Sequence, residues 1–566
     1  MTKLILVILA SLALALGIGY GANGRAVAVV ILSQIPRGIA VKIVQGLSAV
    51  HGMGAVEIDH RYGRYRTAMQ DLQRDLVTTT VSDPTVIAIS EVGHRYLGEN
   101  KTGSFGTLLG YSVAMGGDII GSSAYDVVAG GYEYSDDTEE RGMVLVVAEG
   151  RSPVRIYGPR QHRAWFGHSV ANNGDFDGDG RADVLVGARF ANRRSGGVYL
   201  IPSTLLNGDT DSIEVDLQSE IIEFVVDREE AELGFEVYFG DDWDGDGRSE
   251  LILRAHIDGI QSGGIYIVYS SNMAGVRRVD LDAGDVSIPI SVGEDYADIG
   301  RTIATIGDLD GDGLDELLLG AQAASRYFNA DEYVPSRFYV VLSSDLAKQV
   351  AIGREQMYMV TEAAEGDHLG SSTGRLGDID GDRIDDFAVG ARYAYDRRGA
   401  HYIVSGAQLL QRAIKGKPIR IGEIAALTLM GEEVGDVLGW SCAEESADLD
   451  GDGIGDVAVG ARGADGRVAG AGAVYIVPGQ TMRTAIESGE REMAITGVGA
   501  IKIGGDRHGA RLGSKRRFAA AGDFDGDDRA DLAIGTPGWH EGGIYAGAVW
   551  TISGVSLRAD LSHKLD

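Results

Sequence analysis

The sequence predicts an all-β chain, a β-propeller of seven four-stranded antiparallel blades whose last blade is closed by an N-terminal strand. Three observations carry this. An acidic loop, complete in GDFDGDGRADVLVGAR from Gly174 to Arg189, recurs along the chain. Strand-length apolar runs flank the copies. The last copy lacks one such run, and an orphan run precedes the first.

The elements follow in chain order. Lys3 precedes the apolar run Leu4 to Leu16, and small residues follow from Gly17 to Ala22. The run is short for a bilayer span, so residues 1–22 are expected to be a signal peptide, with a retained signal anchor as the alternative. No cysteine follows it, so no lipoprotein anchor is expected, and no later segment is long and apolar enough to span a bilayer. Residues 23–83 have no readable architecture, residues 84–556 form the propeller, and 557–566 are a polar tail.

The complete acidic loop places aspartates at positions 1, 3 and 5 and an acid at position 9: Asp175, Asp177, Asp179 and Asp183. It returns as Asp242, Asp244, Asp246 with Glu250, and as Asp308, Asp310, Asp312 with Glu316. Three more copies are Asp378, Asp380, Asp382 with Asp386; Asp448, Asp450, Asp452 with Asp456; and Asp523, Asp525, Asp527 with Asp531. A degenerate first copy keeps Asp118 and Asp126 but has Ile120 and Ser122 at positions 3 and 5. Copies start 57 to 75 residues apart, which marks an internal repeat. Before each complete loop stands an apolar residue and a glycine, such as Phe166-Gly167 or Leu438-Gly439. After it come an apolar run ending in Gly-Ala or a variant, a run such as GGVYLI, and a fourth such as MYMVTE. Four strands per unit and seven units make the propeller. The last unit has no fourth run, while PTVIAISEVG (Pro84 to Gly93) precedes the first. Pairing Val86 to Ile89 with Ala548 to Ile552 would close the ring and remove free edges.

Carboxylates at positions 1, 3, 5 and 9 of a tight loop, with a backbone carbonyl at position 7, form a cage of hard oxygen donors. That suits Ca²⁺ at about six sites, with Mg²⁺ second because its octahedron is stricter. An EF-hand would need a glutamate at position 12 and a helix after it. Position 12 here is Val186, Leu253, Leu319, Val389, Val459 or Ile534, in a strand-like run. The first copy has lost two ligands, so no metal is expected there. Arg383 and Asp528 replace the position-6 glycine, which predicts weaker sites in those two loops.

With its Leu-Gly or Phe-Gly openings, DxDGDGxxD loops and Gly-Ala closings, the region from Pro84 to Gly554 resembles the FG-GAP repeats of the integrin alpha-subunit head, a seven-bladed propeller. The resemblance implies the fold, and extracellular recognition or adhesion as one use of it. It specifies function less closely, since such propellers also stand beside unrelated catalytic domains. The chain departs from integrins in having acidic loops in six blades and no room for a domain inserted between blades 2 and 3. No leg domains and no C-terminal span are expected.

Composition narrows the partners. A formal net charge of −32 disfavours nucleic acid and anionic membrane, both of which need a basic surface. Cys442, the single cysteine, excludes an intrachain disulfide framework and a cysteine-based zinc site. No GxSxG, HExxH or P-loop occurs, and histidines such as His168, His368, His401 and His540 are scattered among the repeats. A secreted or cell-surface binding protein for a protein or glycan ligand is the expectation. A calcium-dependent polysaccharide-active enzyme and a structural envelope component are the alternatives.

The hairpins after the second strands lie on the face opposite the acidic loops, because adjacent strands run antiparallel. They differ from blade to blade and carry arginine and aromatic residues: Arg189, Phe190 and Arg193; Tyr327, Phe328 and Tyr333; Arg392, Tyr393, Tyr395 and Arg397; Trp539 and His540. Residues of this kind dominate interface hot spots. The ligand is expected near Arg392 to Arg398 and Trp539.

Overall fold

The computed structural model describes residues 86–98, 106–136, 140–206, 210–256, 263–272, 276–283, 287–291, 297–323, 335–507, 509–513, 517–541 and 545–557, with two dipeptide strands near the N-terminus. The chain divides into two units, Met1–Thr79 and Thr80–Asp566. In the first, the described part is one antiparallel pairing, Gly19–Tyr20 with Ala26–Val27. The rest of the expected signal segment and nearly all of residues 23–83 lie outside the described residues, as does the tail from 558 onward.

The second unit is the seven-bladed propeller. Blade 2 shows the pattern: Phe166–Ala171, Val184–Ala188, Val198–Ile201 and Ile222–Val225 pair antiparallel in that order. Val186 sits opposite Val170 on one side and Tyr199 on the other. Each blade is sandwiched between two neighbours, so its inner strands are buried on both faces. That is why they read as continuous apolar runs rather than alternating ones. Val128, Val144 and Ile156 of blade 1 share one buried cluster with Val184, Val186 and Ile201 of blade 2.

The recurrent glycines have a contact reason. Gly167, Gly234, Gly370 and Gly439 all have positive φ, and a Cβ on Gly187 would stand 2.1 Å from the Gly234 carbonyl oxygen of the next blade. The same collision would arise between Gly390 and Gly439 at 2.2 Å. The Gly-Ala glycine of one blade therefore abuts the opening glycine of the next, and the two motifs are halves of one junction. Between blades 3 and 4 Arg254 takes the place of that glycine. Its buried side chain donates from Nε to the Ile299 carbonyl at 3.1 Å and pairs with Asp298.

Two sequence expectations need correction. The strand that closes the ring is His94–Leu97, which pairs antiparallel with Ala548–Ile552, with Leu97 opposite Ala548 and His94 opposite Thr551. Val86 to Ile89 do not take that place. Ile87–Ala88 instead lies parallel on Ile501–Gly504 of blade 6, and Ile89–Val92 forms one helical turn. An outer strand is half exposed and carries a mixed sequence, so the more apolar neighbouring run drew the assignment. Closure itself stands as expected: the last blade combines strands from both ends of the propeller.

Most blades also carry a fifth strand, which the four-strand reading omitted. Ser212–Glu214 lies parallel on Val154–Tyr157 of blade 1, and Arg278–Asp280 on Ile222–Val225 of blade 2. Pro418–Arg420 covers blade 4 and Glu492–Ala494 covers blade 5. Each comes from the segment that precedes the next blade's fourth strand. The outer edge of one blade is thus covered by chain belonging to its neighbour, which protects the edge.

Candidate metal centres

Each acidic loop joins the first and second strands of its blade, so all lie on one face. In blade 2 the position-1 side chain organises the turn. Asp175 Oδ1 accepts from the Gly178 and Asp179 amides at 2.7 and 3.2 Å, and Oδ2 from Gly180 at 2.8 Å. Gly178 and Gly180 have φ of 78° and 87°, which turns successive amides toward that carboxylate. The position-9 side chain anchors the turn to the blade. Asp183 is fully buried and accepts from Phe176 at 3.0 Å, Asp177 at 3.3 Å and Ser203 at 2.9 Å, all backbone amides. Asp386, Asp456 and Asp531 make the same three bonds in their blades, to Gly406, Gly479 and Gly554 beyond the third strand.

The degenerate first copy separates two roles. Asp118 still accepts from the amides of Gly121, Ser122 and Ser123, and Asp126 from Ile119 and Ile120. The loop therefore folds with positions 1 and 9 alone. The aspartates at positions 3 and 5, lost there and kept in six copies, are not what the turn needs. They are what a cation needs. Asp175, Asp177 and Asp183 each place a carboxylate oxygen within 4.8 Å of the others, as do Asp378, Asp380 and Asp386, and Asp448, Asp450 and Asp456. In the two loops with glutamate at position 9, the converging groups are positions 1, 3 and 5: Asp242, Asp244, Asp246 and Asp308, Asp310, Asp312.

The donor set fits a hard divalent cation, being carboxylate oxygens throughout. Glu250 adds a specific sign, because its Oε2 accepts from the Trp243 amide at 3.0 Å while buried Oε1 has no donor. The electrostatics agree. Burial first, then the neighbouring aspartates, push the position-9 acids up against their backbone donors. Asp183 and Asp456 rise to about 7, Asp386 to about 8 and Glu250 to about 9. Burial likewise raises Asp177, Asp310 and Asp380, with the position-5 aspartate adding to it. A bound cation would remove the penalty that these shifts express.

Sequence reasoning missed one recurrent partner. Ser203, Ser270 and Ser343 follow the third strands, and their hydroxyls donate to Asp179, Asp246 and Asp312 at 2.8, 2.7 and 2.6 Å. They fix the position-5 carboxylate. The signal was present as a serine two residues after each of these strands, in LIPS, IVYS and VVLS. Arg383 and Asp528 hold the position-6 conformation, with φ of 74° and 63°.

On the opposite face, Arg392 and Tyr393 are half-buried and Arg397 is exposed. The Arg392 and Arg397 guanidiniums lie 5.2 and 5.1 Å from the Tyr393 ring centre, and Tyr395 donates to Glu492 at 2.9 Å. Trp539, expected beside them, is instead 1 % exposed. It packs edge-on against Trp550 at 5.1 Å, with Arg507 4.7 Å over its ring. Its large apolar surface belongs to the last blade's core. Tyr327, Phe328 and Tyr333 lie outside the described residues.

Comparison with known proteins agrees with this architecture. The FG-GAP repeat is matched at residues 166–201, 445–477 and 517–552. In blades 2 and 7 these spans hold the first three strands with the acidic loop, and in blade 6 the acidic loop with the second and third strands. The chain is 30% identical over 244 residues to integrin alpha-PS2 of Drosophila melanogaster, and 26% identical over 231 residues to integrin alpha-4 of Xenopus laevis. Those alignments cover 42% and 40% of this chain but only 16% and 21% of the relatives. The chain is an FG-GAP repeat protein whose propeller resembles that of integrin alpha subunits.

Proposed function

We propose that this chain, as an FG-GAP propeller similar to integrin alpha subunits, is an exported binding protein. It acts in extracellular recognition or adhesion, takes a protein or glycan ligand, and is stabilised by Ca²⁺ in up to six acidic loops. The observation that supports the metal most directly is the retention, in six loops, of two aspartates that the first loop folds without. Loose coordination by loop oxygens favours Ca²⁺ over Mg²⁺. We read the chain as a binding module rather than an enzyme. His401, for example, is fully buried with Nε2 3.4 Å from Cys442 Sγ, a packing position rather than an accessible base. Among the described residues no helix is long and apolar enough to cross a membrane.

At millimolar Ca²⁺ and a Kd near 10⁻⁴ M, each site contributes about 1.4 kcal/mol, so six independent sites give on the order of 8 kcal/mol. Metal removal from the full chain should lower Tm by on the order of 8 °C. Tyr393→Ala with Tyr395→Ala should abolish capture of a cell-surface partner while leaving calcium-dependent melting intact. An unchanged Tm after verified metal removal refutes the calcium reading. Capture that survives the double change but is lost on altering the acidic-loop face refutes the assignment of the ligand face.

A further inference from the structure

The face opposite the acidic loops has a mouth around the propeller axis, lined by the residues that follow each opening glycine and each Gly-Ala pair. Tyr111, Phe235, Arg301 and Trp440 are of the first kind; Arg189, Arg392 and Arg462 are of the second. We propose that this mouth binds an acidic peptide segment of a protein partner, through the guanidiniums of Arg392 and Arg462. The inference rests on the reading above that this face carries the ligand.

Arg392 and Arg462 come from different blades, yet each guanidinium stands 4.7 Å from the centre of one indole ring, that of Trp440. Arg392 Nη2 contacts Gln322 Oε1 at 3.2 Å and His368 Nδ1 at 3.0 Å, both neutral groups, while its buried Nε has no acceptor. Burial first, then the like charges of Arg392 and Arg301, holds His368 down to about 4, so it does not compete as a cation. Other arginines near the axis are neutralised: Arg189 by Glu232 at 2.5 Å, and Arg301 by Asp298 at 2.7 Å. Among the described residues, no carboxylate stands within ion-pair distance of Arg392, Arg462 or Arg511. Burial first, and then like charges nearby, holds Arg392 down to about 10 and Arg462 below the ordinary guanidinium value. In a chain of net charge −32, two unneutralised guanidiniums converging on one indole ring form a site for incoming carboxylates.

The rim decides between a peptide and a long polyanion. Glu230, Glu365, Asp396 and Glu433 are exposed in the loops of this same face. A sulfated or uronate polysaccharide crossing the face would meet them, whereas a short acidic loop or terminus inserted at the axis would not.

The probe is a fluorescein-labelled hexaglutamate peptide, titrated by anisotropy against the full chain in millimolar Ca²⁺. Saturable binding that weakens with added salt is expected. Arg392→Gln with Arg462→Gln should weaken it at least about tenfold, and Arg412→Gln, in the helix after the third strand of blade 5 on the acidic-loop face, should not. Should the double variant fail to fold, Arg462→Gln alone and the change in tryptophan emission of the unaltered chain give the same reading. Three results would each overturn the proposal: no binding at low salt, binding indifferent to the arginines, or binding of a heparin oligosaccharide but not of hexaglutamate. If the peptide fails while Tyr393 and Tyr395 still govern partner capture, only the acidic-peptide inference falls and the ligand face stands.

Discussion

Asp456 and Asp450 sit in one loop and should fail in different ways. Asp456 is 2 % exposed and accepts from the amides of Leu449 at 2.9 Å, Asp450 at 3.0 Å and Gly479 at 2.9 Å. Asp456→Ala leaves these three donors without that acceptor, at about 1 kcal/mol or more each, so about 3 kcal/mol is lost whether or not metal is present. Asp450 accepts from the Asp452 amide at 3.1 Å within the loop, and its counterpart in blade 1, where the turn still folds, is isoleucine. Asp450→Ala should therefore cost almost nothing in metal-free buffer, and about 1.4 kcal/mol in millimolar Ca²⁺ through loss of one site. At about 2.1 cal/mol/K per residue, a unit the size of Thr80–Asp566 has an unfolding entropy near 1 kcal/mol/K, so kilocalories translate almost directly into degrees. Differential scanning calorimetry of both variants, metal-free and with Ca²⁺, should show Asp456→Ala about 3 °C down in both series with a further small loss in Ca²⁺. Asp450→Ala should be down only in Ca²⁺, by between 1 and 2 °C. Equal losses for the two variants in metal-free buffer would refute the division of the loop into folding and metal-binding aspartates.

Three further outcomes follow from the same geometry. Arg383→Gly should stabilise the chain by about 1 kcal/mol, since φ at this position is 74° and the equivalent Gly180 and Gly247 have no neighbour within 4 Å of a built Cβ; a lower Tm contradicts this. Deleting His94 to Leu97 should open the ring and yield aggregating protein, while replacing Ile87 and Ala88 by glycine should only weaken the edge of blade 6; light scattering of the two variants checks the order. Burial holds His401 down to about 3, below the ordinary histidine value near 6.5. Its folded form thus binds fewer protons than the unfolded chain between those values. The associated stability is present above pH 6.5 and is lost as pH falls toward 3. His401→Gln should flatten the Tm profile between pH 6.5 and 4, and an unchanged slope would count against it.

Blade number, loop chemistry and the face that carries the loops were legible in the sequence because they depend on neighbours within about ten residues. A tight turn needs its glycines and its position-1 and position-9 acids wherever it stands, so the pattern repeats with the fold. The Gly-Ala and opening-glycine signals were equally visible, but their meaning was not, since Gly187 meets Gly234 only across a blade junction. The same holds for the strand that closes the ring. His94–Leu97 is half exposed, so no apolar pattern marks it, and the more apolar Ile87–Ala88 is buried against a different blade. Trp539 looked like a surface anchor because it stands in the hairpin after a second strand, yet its ring fills the space beside Trp550. By itself the sequence determined seven units, their acidic loops and their handover between the termini. Only the tertiary structure decided which residues of different units meet, such as Arg392 and Arg462 on the ring of Trp440, because those distances are set by closing the circle rather than by any local pattern.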